Sequence, residues 1–197
     1  MNAESLIALA VYAFATSASP GPNNMMLLAS GVNFGFRRTL PHMLGIGMGF
    51  TVMIVLVGLG LVGLFTAWPP ARVALQGVSV VYMLWLAWKI ADAAPSAEGG
   101  AAGRPLSFLQ AAGFQWVNPK AWAMALTSVA VYAPGQDVAT VLLVAAVFGA
   151  VNLPCVSAWA VLGVALRRWL ANPVPLRWFN RGMAAALVLS LYPVLGL

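Results

Sequence analysis

Long uncharged runs, separated by single or paired basic residues, dominate this chain. Residues 5–36 carry no charge before Arg37 and Arg38, 39–71 carry none before Arg72, and 73–88 carry none before Lys89 and Asp92. After the stretch DAAPSAEGGAAGRP, residues 105–136 carry only Lys120, and residues 138–166 and 182–197 carry no charge. A helix crossing a hydrocarbon core about 30 Å thick needs about 20 residues at 1.5 Å each. The runs predict six such helices, over 5–31, 40–67, 72–92, 106–132, 138–166 and 177–196. The third and sixth are short unless Lys89 and Arg181 reach out to the interface, as long basic side chains do. Five spans, with the last run lying on the membrane, is the alternative. The expected fold class is an all-α integral membrane protein, residues 1–197 forming a single transmembrane domain.

Composition strengthens this reading: 62% of the residues are hydrophobic and 7% charged, with mean hydropathy +0.90. A soluble domain carries about 25% charged residues, so the solvent around this chain is lipid. The net charge of +6 does not indicate nucleic acid, which needs a basic cluster on a polar face. Here the basic residues mark the ends of apolar runs, and their asymmetry sets orientation. With the N-terminus outside, the inner loops hold Arg37, Arg38, Lys89, Arg104, Arg167, Arg168, Arg177 and Arg181, against Arg72 outside. Both termini are therefore expected on the outside of the membrane. Trp85, Trp88, Trp169 and Trp178 fall near predicted boundaries, as an interfacial aromatic belt would. The first run starts with Glu4 and lacks the basic n-region of a cleaved leader.

The loop at 93–105, rich in Ala, Gly and Pro, divides the chain into halves of three spans, 1–92 and 106–197. Three is odd, so the second half enters from the opposite face, and related halves would form an inverted repeat. The first span of each half is interrupted, by SPGPNN in the first and VNPKAW in the second. Pro20 and Pro119 lie about 15 and about 13 residues into their spans, on the order of 20 Å from opposite faces and near the midplane. Proline-interrupted spans at matching places in two halves point to a transporter's binding site.

The chemistry follows from the breaks. In lipid, backbone groups freed by a proline are tolerated only against protein or a wet cavity. A half-helix starting at Asn23 or Asn24 presents open N–H groups and a positive dipole end. Asn118 suits the N-cap of the second half-helix, Pro119 its first turn, and Lys120 follows. A lysine at this depth is costly, no acidic residue lies in any span, and an anion such as a carboxylate would relieve it. The upstream half-helices leave carbonyls near Ser17–Ser19 and Gln115–Val117, which suit an ammonium. A small zwitterion therefore fits better than a sugar or an inorganic anion. The expected binding residues are Ser19, Pro20, Gly21, Pro22, Asn23, Asn24, Asn118, Pro119 and Lys120, with Gln115, Trp122 and Asn152 lining the cavity. Gly45 and Gly49 form a small-residue packing face, and Gly58, Gly60 and Gly63 extend the theme of packing or hinge positions.

The stretches SPGPNNMMLLASGVNFGFRRTLPHMLGIGMGF and FLQAAGFQWVNPKAW, with YMLWLAWKI in the third span, resemble the lysine exporter/homoserine-threonine efflux family of bacterial amino-acid exporters. The resemblance covers nearly the whole chain, and PGPNN and LAWKIA are most similar to its cysteine and O-acetylserine exporting branch. It implies an inner-membrane secondary exporter of amino acids or their derivatives driven by the proton motive force. A proton carrier is usually an intramembrane carboxylate or histidine, so either His42, at the inner end of the second span, or Lys120 couples, or transport is downhill. A structural His42 is the plainer reading.

Other classes fit less well. An enzyme needs a nucleophile with a base, paired carboxylates or a metal cluster, and the chain offers one histidine and one cysteine, Cys155. A metal-ion exporter needs Cys, His or carboxylate ligands, which a central lysine opposes. An exporter of another small anion or a passive channel remains as an alternative. No cofactor or nucleic acid is expected; the expected partners are the amino acid, the bilayer and, left open, further copies of the chain as a homo-oligomer.

Overall fold

The computed structural model describes residues 1–93 and 104–192, and among these all regular structure is helical. The helices are α1 (Ala3–Ala18), α2 (Pro22–Phe34), α3 (Phe36–Leu56), α4 (Val62–Ala67), α5 (Pro69–Ala91), α6 (Phe108–Phe114), α7 (Pro119–Tyr132), α8 (Val138–Arg167) and α9 (Pro173–Leu189). A π-helical turn, Val57–Leu61, joins α3 to α4, and a 3₁₀ turn, Gln115–Val117, precedes α7. Most of the predicted loop and the last residues of the sixth predicted run fall outside the described residues.

Among the described residues, three helical stretches are long and apolar enough to cross a membrane: Phe36–Phe65, Pro69–Ala91 and Val138–Arg167. The other predicted spans appear as the pair α1 and α2, the pair α6 and α7, and α9. Helix α3 starts at Phe36 and α9 at Pro173, each four residues before the charge-based boundary. Uncharged runs mark where lipid begins, whereas a helix continues through its interfacial turn. Pro69 and Pro173 occupy first-turn positions of α5 and α9, where the missing N–H is no loss.

The molecule is apolar on its outside. Val73, Val81, Leu109 and Val11 are each more than half exposed, a surface suited to lipid. Interfacial tryptophans carry basic partners: the Lys89 ammonium lies 4.7 Å from the Trp85 ring centroid, and Arg168 and Arg181 approach Trp169 and Trp178.

Two close crossings bring backbones together. A Cβ on Gly31 would strike the Ala160 carbonyl and one on Gly163 the Leu28 carbonyl, so α2 meets α8 through bare glycines. On α3, Gly49 leaves only 2.6 Å between its would-be Cβ and Ala112 Cα, and Gly45 faces Phe108 and Ala111. The expected Gly45–Gly49 face thus packs on α6. Gly58 packs on Val141, and Gly60 turns the π segment with φ +98°, a conformation open to glycine at little cost. Gly63 has no neighbour within 4 Å and is not a packing residue.

The contacts pair elements reciprocally. Helix α8 packs on α1 and α2, while α3 packs on α6 and α7; α3 also touches α8, and α5 lies against α9. A core of Leu9, Phe50, Met53, Ala125, Val144 and Phe148 fills the space among α1, α3, α7 and α8.

Candidate functional site

Helix α1 stops at Ala18 because Pro20 cannot donate within a helix and forces Ser19 into extended backbone, φ −65° and ψ 147°. The last carbonyls of a helix need partners from elsewhere, and here each has one. Ser19 N donates to Ala15 O and Ser19 Oγ to Thr16 O. Asn24 Nδ2 donates to Ser17 O at 2.8 Å, and Trp159 Nε1 to Ala18 O at 3.2 Å. The break is closed by side chains from α2 and α8.

Helix α2 then begins at Pro22, one residue before the expected start, with Gly21 as its N-cap and no side chain capping its first turn. In the second half, Asn118 is the N-cap of α7, its Oδ1 accepting from Lys120 N at 3.1 Å, and Pro119 is in the first turn.

The two breaks meet. Asn23 and Gln115, far apart in sequence, exchange a reciprocal amide pair, Nδ2 to Oε1 at 2.9 Å and Nε2 to Oδ1 at 3.2 Å. The Lys120 ammonium, which sequence left without an intramembrane partner, donates to Ser19 O (2.7 Å), Ser19 Oγ (2.8 Å) and Pro20 O (3.2 Å). Ser19 O also accepts from Asn24 Nδ2. The carbonyl end expected to receive a ligand's ammonium is therefore filled by the chain's own. Physically the two demands cancel: a cation needing a counter-dipole sits on the negative end of α1.

Beside this contact lies a small cavity of about 20 Å³ lined by residues including Ser17, Gly21, Asn23, Asn24, Asn118, Lys120 and Asn152. That volume holds about one water. Asn152 is buried, donates from Nδ2 to Ser17 Oγ at 3.1 Å, and leaves Oδ1 without a partner. A Cβ on Gly21 would lie 2.6 Å from Lys120 Cδ, so a side chain there would displace the lysine stem.

Not every expected residue lies on the cavity. Ser19, Pro20 and Gln115 act through the hydrogen bonds above, and Pro22 and Pro119 set helix starts. Trp122 instead packs against Phe65 and Trp116, its Nε1 donating to Trp116 O at 2.8 Å; it lines an open apolar groove beside α4 and α5. His42 is in a different cavity, buried with both ring nitrogens unpartnered. Nothing in the sequence signalled that Trp159 Nε1 would donate across the break to Ala18 O.

Residues 14–191 match the LysE type translocator family. The cysteine/O-acetylserine efflux protein of Salmonella typhimurium is 31% identical over 169 residues, 83% of this chain and 84% of the relative. Its namesakes in Escherichia coli and Shigella flexneri are 30% identical over 168 residues, with the same coverage. No solved structure matches. A match across nine-tenths of the chain, relatives of nearly equal length and apolar helices agree: this protein is a membrane transporter, not an enzyme, and belongs to the LysE type translocator family.

Proposed function

We propose that the chain exports a small neutral amino acid of the cysteine and O-acetylserine class across the bacterial inner membrane by alternating access. The observation that carries this reading is the meeting of both helix breaks at one polar cavity through Asn23–Gln115 and Lys120–Ser19. The named activity of the relatives supplies the substrate class.

The site residues divide between the two charges of a zwitterion. Lys120 and the uncapped first turn of α2 receive the carboxylate. Asn152 Oδ1, buried without a donor, accepts from the substrate ammonium, joined by the α1 carbonyls that Lys120 releases when it turns to the carboxylate. A cavity with room for one water cannot hold an amino acid, so the described arrangement is a closed one. Substrate enters when the breaks part.

The halves that part are residues 1–92 and 106–197, joined by the loop at 93–105. Six spans result when α1 with α2, α3 with α4, α5, α6 with α7, α8 and α9 each cross once. The contacts favour a two-fold relation between halves: exchanging α1/α2 with α6/α7, α3 with α8 and α5 with α9 maps the principal contacts onto one another. Both termini then lie outside, with the basic ends in the cytoplasm. A passive channel is disfavoured by the closed centre.

Counterflow in proteoliposomes tests the reading. Vesicles loaded with unlabelled O-acetyl-L-serine should accumulate labelled O-acetyl-L-serine and cysteine saturably, and labelled arginine poorly. Absence of exchange with any neutral amino acid, from folded protein, rejects it.

A further inference from the structure

A second cavity, of about 130 Å³, lies along the C-terminal part of α2 and is lined by Ser30, Asn33, His42, Lys89 and Arg104 among others. Asn24 at the central site and Asn33 here are nine residues apart on one helix, about 13 Å. The two cavities therefore follow one another along α2, from the centre toward the end where Arg37, Arg38 and Lys89 gather.

His42 is 2% exposed, and neither Nδ1 nor Nε2 has a hydrogen-bond partner. Buried polar atoms almost always have a partner, so a cavity-lining ring with two unpartnered nitrogens marks a place for a ligand. The other polar walls are occupied. Ser30 Oγ and Thr39 Oγ1 share a hydrogen bond, and Asn33 Nδ2 donates to Ala29 O and Asn180 Oδ1. What remains available is one imidazole, able to accept at one nitrogen and donate at the other, and the exposed Lys89 and Arg104 at the rim, the Lys89 ammonium resting over the Trp85 ring.

We infer that this cavity is a cytoplasmic loading site for the transported amino acid, occupied before the central site; this rests on the exporter reading above. Lys89 and Arg104 take the carboxylate, as charge-assisted donors at the entrance. The open imidazole nitrogen of His42 accepts from the substrate ammonium, and the other donates to a polar side-chain group such as an ester or carbonyl oxygen. The cationic rim also draws zwitterions carboxylate-first, and the path along α2 delivers them to Asn24 and Asn152.

The test uses the full chain with labelled O-acetyl-L-serine. Equilibrium binding in nanodiscs should saturate at two molecules per chain, and in the Lys89→Gln, Arg104→Gln double variant one of the two should bind at least tenfold more weakly. In inside-out vesicles, where the cytoplasmic face is outward, the double variant should raise the KM for uptake about tenfold, the loss of one good charged contact. In right-side-out vesicles its exchange KM should not change. His42→Leu should reproduce the face-specific KM while melting no lower than wild type, because it removes buried unpartnered nitrogens. One molecule bound per chain in the wild type, with the variants matching it on both faces, overturns the loading site and leaves the exporter intact. Competition by inorganic phosphate or anionic-lipid vesicles, equalled by N-acetylated O-acetylserine, which keeps the carboxylate and lacks the ammonium, overturns it in favour of an anion or headgroup site. A folded wild type that neither binds nor exchanges any neutral amino acid rejects the exporter and the loading site together.

Discussion

Lys120→Met separates folding from transport, and the geometry says by how much. The substitution keeps most of the side-chain stem and removes an ammonium bonded to Ser19 O, Ser19 Oγ and Pro20 O. Two of these acceptors retain other work: Ser19 O still accepts from Asn24 Nδ2, and Ser19 Oγ still donates to Thr16 O. Only Pro20 O loses its partner, at about 1–3 kcal/mol if it stays dry. Against this, the fold no longer holds an ammonium at membrane depth, where lysine costs about 2.5–3.5 kcal/mol on the lenient scale. The two terms nearly cancel, so the net change should stay within about 1 kcal/mol. For a chain of this size that moves Tm by about 4 °C or less.

Transport should respond very differently. A hydrogen bond to a charged partner contributes about 1.5–3 kcal/mol, which is roughly 10- to 100-fold in affinity for the substrate carboxylate. Lys120→Met should therefore melt like the wild type in detergent while its counterflow of O-acetyl-L-serine falls at least tenfold. Lys120→Arg should rescue little, because a planar guanidinium does not fit the three-acceptor cradle beside Gly21. Unchanged counterflow in Lys120→Met would place the carboxylate site elsewhere. A large drop in Tm with a parallel loss of transport would make Lys120 a structural clasp and refute the reasoning.

Asn152→Ala should raise the exchange KM about tenfold with little change in Tm, since losing the Nδ2 donor to Ser17 Oγ is offset by removing the buried, unpartnered Oδ1; a Tm loss without a KM change would assign Asn152 to the scaffold. Gly163→Leu drives a side chain into the Leu28 carbonyl and should destabilise by about 1–3 kcal/mol, whereas Gly182→Ala, in open space on α9, should stabilise by about 0.5–1 kcal/mol; paired detergent melts check both. An Asn23→Leu and Gln115→Leu double-mutant cycle should give a coupling of about 0.6 kcal/mol, the mean for polar pairs in membranes; additive stability changes would deny that the pair ties the breaks. Asp137 caps α8, and the Thr140 N–H it accepts from holds its carboxyl below the usual 3.8. Its contribution is therefore present above pH about 4 and lost as pH falls through the lower folded-state value. The Tm gap between wild type and Asp137→Ala should close between pH 5 and 2, and a gap independent of pH would show that the carboxylate charge is irrelevant.

The helix starts and stops were legible because they obey local rules. Pro20 and Pro119 each act on their own backbone, and Asn118 caps the turn beside it; the starts of α5 at Pro69 and α9 at Pro173 were missed because charges rather than prolines set those boundaries. The small-residue face of α3 was equally visible, since Gly45 and Gly49 stand one turn apart. The crossing through Gly31 and Gly163 was not, because each glycine is isolated in its helix and acquires meaning only from the other. His42 misleads for a related reason: its type and position say it can titrate, but not that it lies on a separate cavity with Lys89 and Arg104.

Lys120 shows where a one-dimensional reading reaches its limit. By sequence it is an intramembrane cation with no carboxylate in any span, and an external anion is the economical answer. The fold supplies a different one, 101 residues away, because the same kind of proline break that exposes Lys120 in one half exposes carbonyls in the other. A cation at the start of one half-helix and a dipole's negative end at the close of another neutralise each other only if the breaks touch. In the proposed function the contact is a lock that holds the site shut, and a zwitterion is a key of matching chemistry: its carboxylate competes for the ammonium and its ammonium for the carbonyls. Neither a free cation nor a free anion offers both exchanges. That is a physical reason for a site of this construction to prefer a neutral amino acid.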